Sequence, residues 1–289
     1  MSARNKRILV IGSPVLDRII RKGREYKQLG GISYSLWVLG KFYPEIEVIP
    51  IMNIGESLYR CYTQWLHSLG NVNTSYIKCK GGINRNTLIY KDSEREEYME
   101  IGQSPVREIP EKLLKNADGI FINFITRNDV SIEEVKKLEW YNLPVYIDLH
   151  SFLRGVRSGK FVLSNKKNWK IIVQVASYLQ MNIKEFQFLM GEKITKDKLM
   201  EIHAIGPRVI LVTRGEQGTL FSINGEIFEK TPSKICKGDT TGCGDILGAA
   251  TFAEILKGST VQEAVLKGIE MASKKVCEEI KFPKSSPCH

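Results

Sequence analysis

The chain has 289 residues, 43% of them hydrophobic and 26% charged, enough apolar material for one sizeable soluble core and with no 18-residue apolar run to span a bilayer. Its net charge of +10 is spread along the chain and broken by acidic residues, which argues against a nucleic-acid-reading face but suffices to steer small anions. The six cysteines (61, 79, 236, 243, 277 and 288) form no Cys-x-x-Cys pair and have no histidine at metal spacing, so reduced thiols in a cytoplasmic protein are expected rather than a disulfide framework.

The N-terminal "RILVIGS" reads as a buried first strand, not a signal peptide, and it leads through a loop to Asp17. In "GGISYSLWVLGKF", Gly30 and Gly31 make a turn and the apolar spacing predicts a helix that stops at Gly40. "EVIPIMNIG" is another buried strand, and "LYRCYTQWLHSLG" an amphipathic helix stopped at Gly70. "TSYIKCKGGINRNTLIYKDSEREEYMEIG" alternates, with turns at Gly81-Gly82 and Asp92-Ser93, and predicts half-exposed antiparallel strands.

After Gln103, short apolar strands such as "DGIFINF", "LPVYIDL" and "RVILVTRG" alternate with helices such as "IKEFQFLMG". Strands apolar on both faces need cover on both faces, so the expected fold is α/β: a doubly wound, mostly parallel sheet flanked by helices. No linker divides residues 1–289, which are expected to form one domain. Segments of about 16–30 and 72–102 would build a small antiparallel β lid over a crevice.

"KGDTTGCGDILGAATFAEIL", residues 237–256, packs glycines, threonines and aspartates against the start of an apolar helix. Glycines allow close approach of backbone to a ligand, and a helix N-terminus offers unpartnered N–H groups and the positive end of the dipole to an anion. The loop ends without the Gly-Lys-Ser/Thr of a Walker A motif and lies too late for a dinucleotide fingerprint. Asp245, in the first turn, is either a cap or a base that accepts a hydroxyl proton beside a bound phosphoryl group.

"GDTTGCGD" resembles the Asp-Thr-x-Gly-Ala-Gly-Asp signature of the ribokinase-like (PfkB) carbohydrate kinases, with Cys243 in place of alanine. "ILVIGSPVLD", "GGISYS", "QMNIKEF" and "VTRGEQG" are similar to four further motifs of that family, in the same order. "YIDLHSFLRG" resembles a segment of its inositol-kinase subgroup through Asp148 and Arg154.

The resemblance implies ATP-dependent phosphorylation of a hydroxyl on a sugar or cyclitol, in a cytoplasmic enzyme that is a homodimer through the lid in some relatives. It implies Asp245 as catalytic base and Gly242, Cys243 and Gly244 as anion hole. Asp17, Gly30, Gly31, Ser35 and Arg154 would bind the acceptor. Thr213, Gly215, Gly218 and Asn182 would bind the nucleotide. Asn182 and Glu185 would hold Mg²⁺ through water, although Asn-x-x-Glu also reads as a capping box. In some relatives a monovalent cation sits near the loop, where Asp239 and Thr241 would hold it. The competing readings are a nucleoside kinase, with Tyr34 and Tyr90 stacking on a base, and a nucleotide- or sugar-binding regulator without turnover. Neither nucleic acid nor membrane is an expected partner.

Overall fold

A computed structural model describes residues 5–91 and 94–283. The turn expected at Asp92-Ser93 and Cys288 lie outside them. The chain opens with β1 (Lys6–Ile11), β2 (Pro14–Arg21) and β3 (Arg24–Gly31), then α1 (Ser33–Phe42), β4 (Ile46–Ile54), α2 (Glu56–His67) and β5 (Ile77–Cys79). β6 (Asn84–Lys91) and β7 (Glu94–Glu100) follow, then α3 (Glu111–Asn116), β8 (Gly119–Asn123), α4 (Ile132–Lys137), β9 (Val145–Asp148), β10 (Arg154–Arg157) and β11 (Lys160–Leu163). The last part holds α5 (Trp169–Gln174), β12 (Tyr178–Asn182), α6 (Ile183–Met190), α7 (Lys196–His203), β13 (Val209–Thr213), β14 (Thr219–Ile223), β15 (Glu226–Lys230), α8 (Cys243–Lys257) and α9 (Val261–Val276).

The central sheet has nine strands in the order β15-β14-β13-β12-β9-β8-β1-β4-β5, parallel from β13 to β5 and antiparallel at β14 and β15. The apolar strands are explained by their two buried faces. Ile8 and Val10 of β1 pack with α1, α2, α8 and α9, while Leu9 and Ile11 pack with the helices between α3 and α7. Parallel strands place all their C-terminal ends on one edge, so Asn123, Asp148, Asn182 and Thr213 come to that edge together.

A second sheet, β3-β2-β6-β7, forms the lid from Pro14–Gly31 and 84–100. The loop expected after the first strand is only Gly12-Ser13, since β2 begins at Pro14. Ile77–Cys79 pairs with β4 on the central sheet instead of the lid, because its partner edge is the parallel strand Met52–Ile54.

A buried polar network marks the points where the chain passes between the two sheets. Asn84 Nδ2 donates to Ser13 Oγ at 2.9 Å and to Gln103 Oε1 at 3.2 Å, and Ser13 Oγ donates to Asp129. Burial pushes Asp129 up to about 6, against the opposing hydrogen bonds from Ser13 and the Thr126 amide.

The thiols depart from expectation. Cys236 and Cys277 form a disulfide, Cα–Cα 5.2 Å apart, and Cys61 is also disulfide-bonded. A separation of 41 residues carries no local motif; only the packing of the segment after β15 along the end of α9 brings Cys236 to Cys277. Cys79 and Cys243 are free thiols. Among the described residues no helix is long and apolar enough to cross a membrane.

Candidate active site

A cleft of about 390 Å³ opens at the C-terminal edge of the sheet, lined by Asp148, Asn182, Glu185, Thr213, Gly215 and Gly218 on one side and by Gly242, Cys243, Gly244 and Asp245 on the other. The start of α8 shapes the second wall. Gly242, the N-cap, has φ +78°, and a Cβ there would lie 2.4 Å from the Tyr34 ring. The Cys243 amide donates to Thr240 O at 3.2 Å, so it is not open to a ligand as expected; the Gly242 and Gly244 amides have no acceptor among the described residues. A local turn closes one of the three expected amides and leaves two open.

Asp245 is nearly buried, at 9% exposure, yet it lines the cleft. Asn123, at the end of β8, donates from Nδ2 to Asp245 Oδ1 at 2.5 Å. Ser35 donates from Oγ to Asp245 O at 3.2 Å and is fully buried, so it supports the first turn of α8 and does not face an acceptor as expected. Gln180 Nε2 donates to Gly244 O at 3.0 Å and to Asp148 Oδ2 at 2.6 Å, and Tyr146 donates to Gln180 Oε1 at 2.6 Å. This relay fixes the cradle to the strand ends β9 and β12.

Asn182 and Glu185 form the capping box that their spacing allowed. The Asn182 side chain accepts from the Glu185 amide, and Glu185 Oε2 accepts from the Asn182 amide at 2.8 Å. Burial pushes Glu185 up to about 7, against hydrogen bonds from Asn182 and the charge of Arg154. Burial, with Glu185 and Asp245 nearby, holds Asp148 well above the usual carboxylate range.

On the lid, Gln28, Asp17 and Asn86 are in register on β3, β2 and β6, so the three polar side chains share one face, and all are buried. A Cβ on Gly30 would fall 2.0 Å from Asp17 Oδ2, so only glycine leaves room for that carboxylate. Gln28 Nε2 donates to Tyr34 Oη at 2.7 Å, and the Tyr34 ring packs 4.4 Å from Phe282, which buries it and removes it as a stacking platform. The lid also touches the cradle directly, Tyr90 Oη meeting Thr241 Oγ1 at 3.0 Å. Arg154 Nη1 donates to Glu97 of β7 at 2.7 Å and so ties the body to the lid.

Asp239 and Thr241 are already engaged. Lys275 Nζ donates to Asp239 O at 2.7 Å, Asp239 Oδ2 at 2.9 Å and Thr241 O at 2.8 Å. Burial would raise Asp239, but the Lys275 ammonium and the Thr241 hydrogen bonds outweigh it and hold the carboxyl below its ordinary value.

Chemically, the cleft offers an anion two open amides and a helix dipole, with a carboxylate held beside them. Asn123, Gln28, Asn86, Gln180 and Lys275 were missed by sequence reasoning. Gln180 borders the Asn-x-x-Glu motif without belonging to it, the others stand in ordinary strands or helices, and only the register and the packing reveal them.

Residues 162–279 match the family model described as pfkB family carbohydrate kinase. A comparison with curated proteins gives no match. Among solved structures, the ribokinase of Thermotoga maritima has a TM-score of 0.74 at 20% identity, covering 94% of this chain and 92% of that one. A pyrophosphate-dependent kinase in the ribokinase family, complexed with a pyrophosphate analog and myo-inositol, has a TM-score of 0.78 at 16% identity, covering 97% and 98%. The nucleoside kinase of Methanocaldococcus jannaschii has a TM-score of 0.72 at 18% identity, covering 97% and 94%. The fold is therefore the ribokinase-like one, a doubly wound sheet with a β lid.

Proposed function

We propose, from the match of residues 162–279 to the pfkB family carbohydrate kinase model, that the chain transfers the terminal phosphoryl group of ATP to a hydroxyl of a small polyhydroxylated acceptor. The observation that carries this reading is the placement of Asp245 in the first turn of α8, lining the cleft and oriented by Asn123. Asp245 accepts the acceptor's hydroxyl proton as the oxygen attacks. The Gly242 and Gly244 amides and the α8 dipole receive the charge on the moving phosphoryl group.

The donor reading rests on the shape of the cleft. Beyond Thr213 and Gly215 its wall turns apolar, with Ile235, Ile269, Ala272 and Val276, which suits a base better than a bare pyrophosphate. Mg²⁺ fits the chemistry present: Asp148, Glu185 and Asp245 crowd one cleft, burial and then the two neighbouring carboxyls raise Asp148 well above the usual carboxylate range, and a divalent cation would relieve that repulsion. No group of three or more His, Cys, Asp or Glu able to hold a metal ion occurs among the described residues. The ion would therefore be held through water by Asn182 and Glu185, and by the donor's phosphates, where it would neutralise phosphate charge.

The acceptor reading rests on the lid row. Asp17 and Asn86 present a carboxylate and an amide side by side, a pairing that takes neighbouring hydroxyls, and Gly30 and Gly31 give a polyol close approach. The burial of Tyr34 favours a sugar or inositol over a nucleoside, since one of the two candidate stacking rings is unavailable. A homodimer through the lid belongs to the same proposal.

The test is ADP release with a panel of sugars, inositols and nucleosides, run beside thermal shift with a non-hydrolysable ATP analogue. Turnover with a sugar or inositol supports the reading. Turnover with nucleosides alone moves the acceptor to that class, and nucleotide binding without turnover on any acceptor makes the chain a binding regulator.

A further inference from the structure

The oxygens that the family resemblance would offer to a monovalent cation do not fit one in this chain. All three hydrogens of the Lys275 ammonium are spent on them: Asp239 O, Asp239 Oδ2 and Thr241 O, at 2.7, 2.9 and 2.8 Å. Asp239 Oδ1 in turn accepts from the Thr241 amide at 3.0 Å and from its hydroxyl at 2.7 Å, so the turn 239–241 is closed around the lysine.

Lys275 lies in the last turn of α9, where a lysine ordinarily points into water near the helix's negative end. Here its side chain is only 8% exposed. The Tyr34 ring covers it from another side, 5.8 Å from Nζ to the ring centroid. A buried ammonium is costly unless every donor is satisfied, and these contacts satisfy all three. An ammonium and a potassium ion are close in size and both are bound by carbonyl and carboxylate oxygens.

We propose that the Lys275 ammonium is a built-in replacement for a monovalent cation: it orders the turn 239–241 that leads into the phosphoryl cradle and neutralises Asp239 there, so that the chain works without potassium. Asp239 stands three residues before the N-cap Gly242. Uncompensated, its charge would repel the donor's phosphates, and it would do so beside a low-dielectric wall. Lys275 is a positioning residue; it acts through Asp239 and Thr241 and touches no substrate. The inference rests on the proposed kinase reading for its effect on turnover, and on the geometry alone for its effect on ion binding.

The experiment compares the wild type with Lys275→Met and Lys275→Gln in potassium, ammonium and choline chloride at equal ionic strength. Two readouts are taken: the thermal midpoint with a non-hydrolysable ATP analogue, and kcat and KM for ADP release. The wild-type kcat is expected to agree within about twofold across the salts and its midpoint to show no shift specific to potassium or ammonium, because no site is left to fill. In choline, the variants are expected to lose about tenfold in kcat, less than the loss of a direct oxyanion donor. Potassium or ammonium, but not choline, should restore part of that loss and raise the variants' midpoint by filling the vacated oxygens. Activation of the wild type by potassium over choline overturns the proposal, as does a variant that is destabilised and indifferent to all three salts. If neither variant folds, the wild-type salt series decides alone. If no acceptor is turned over, the midpoint shifts still decide, which separates this proposal from the kinase reading.

Discussion

Asn123, the last residue of β8, donates to the carboxylate of Asp245 in the first turn of α8 across 122 residues of sequence, at 2.5 Å. This bond joins the edge of the parallel sheet to the first turn of α8 and helps orient the carboxylate. A second contact, Ser35 to the Asp245 carbonyl, comes from α1, which packs against α8, so the first turn of α8 is held by both a sheet strand and a neighbouring helix. Asn123→Ala is expected to lower kcat by about tenfold with little change in nucleotide KM, since removing an orienting partner costs less than removing the base. Asn123→Asp should cost more, because a second carboxylate at that distance raises the proton affinity of the pair. Steady-state kinetics of both variants check this.

Gly242 and Gly244 separate backbone strain from ligand access. Gly242→Ala requires a positive φ of 78° in a residue with a side chain, and places a Cβ 2.4 Å from the buried Tyr34 ring. It should cost about 1–3 kcal/mol from the backbone alone, and more from the clash. At Gly244 the nearest atom to an added Cβ is Gln180 Nε2 at 3.7 Å, so Gly244→Ala should leave the denaturation midpoint nearly unchanged. Its methyl stands at the open amide, however, and nucleotide KM should rise. Denaturant melts and KM measured on both variants test the contrast.

Glu185 makes the protein less stable as pH rises from acid to neutral. Its carboxyl is pushed from 4.5 up to about 7 by burial, against its hydrogen bonds to Asn182. Between those values the unfolded chain has lost the proton and the folded chain keeps it, so folding binds protons and stability falls as pH rises. The full contribution of this group is about 3 kcal/mol. Urea melts of the apoprotein from pH 4.5 to 7.5 should show that fall, and Glu185→Gln should flatten the part due to this residue. Mg²⁺ with nucleotide should bind more tightly as the proton leaves.

The disulfide Cys236–Cys277 ties the segment before the cradle to the end of α9, and Cys236 lines the cleft. By the loop-entropy account, a bridge closing 41 residues contributes about 4 kcal/mol. Cys236→Ser is expected to lower the thermal midpoint and to raise nucleotide KM, with kcat less affected. Calorimetry and kinetics on the variant, with the wild type before and after reduction, check both effects.

The sheet was legible because its strands are apolar on both faces, and α8 was legible because glycines crowd ahead of an unbroken apolar run. The positions of Asp245, Asn182, Glu185, Thr213 and Gly218 could be read for the same reason: each belongs to a local pattern whose residues stay neighbours after folding. The partners of those residues could not be read. Asn123 meets Asp245 only through sheet order, Lys275 meets Asp239 across 36 residues only through the packing of α9 against α8, and Cys236 meets Cys277 through the packing of the segment after β15 along the end of α9. Ser35 was misjudged because helix phase decides whether a hydroxyl faces the cleft or the core, and α1 turns it toward the Asp245 carbonyl. Tyr34 was misjudged likewise, its ring being fixed under Gly242 by Phe282 far along the chain.

The most direct measurement is the turnover number of Asp245→Asn against wild type, with the best acceptor of the panel and saturating ATP and Mg²⁺. The amide keeps the shape of the side chain but takes no proton, so kcat should fall by about 10²–10⁴-fold while the ATP analogue still raises the thermal midpoint as in wild type. A variant that keeps most of its kcat would show that another group deprotonates the acceptor, and would contradict the account of α8 as the phosphoryl-transfer site.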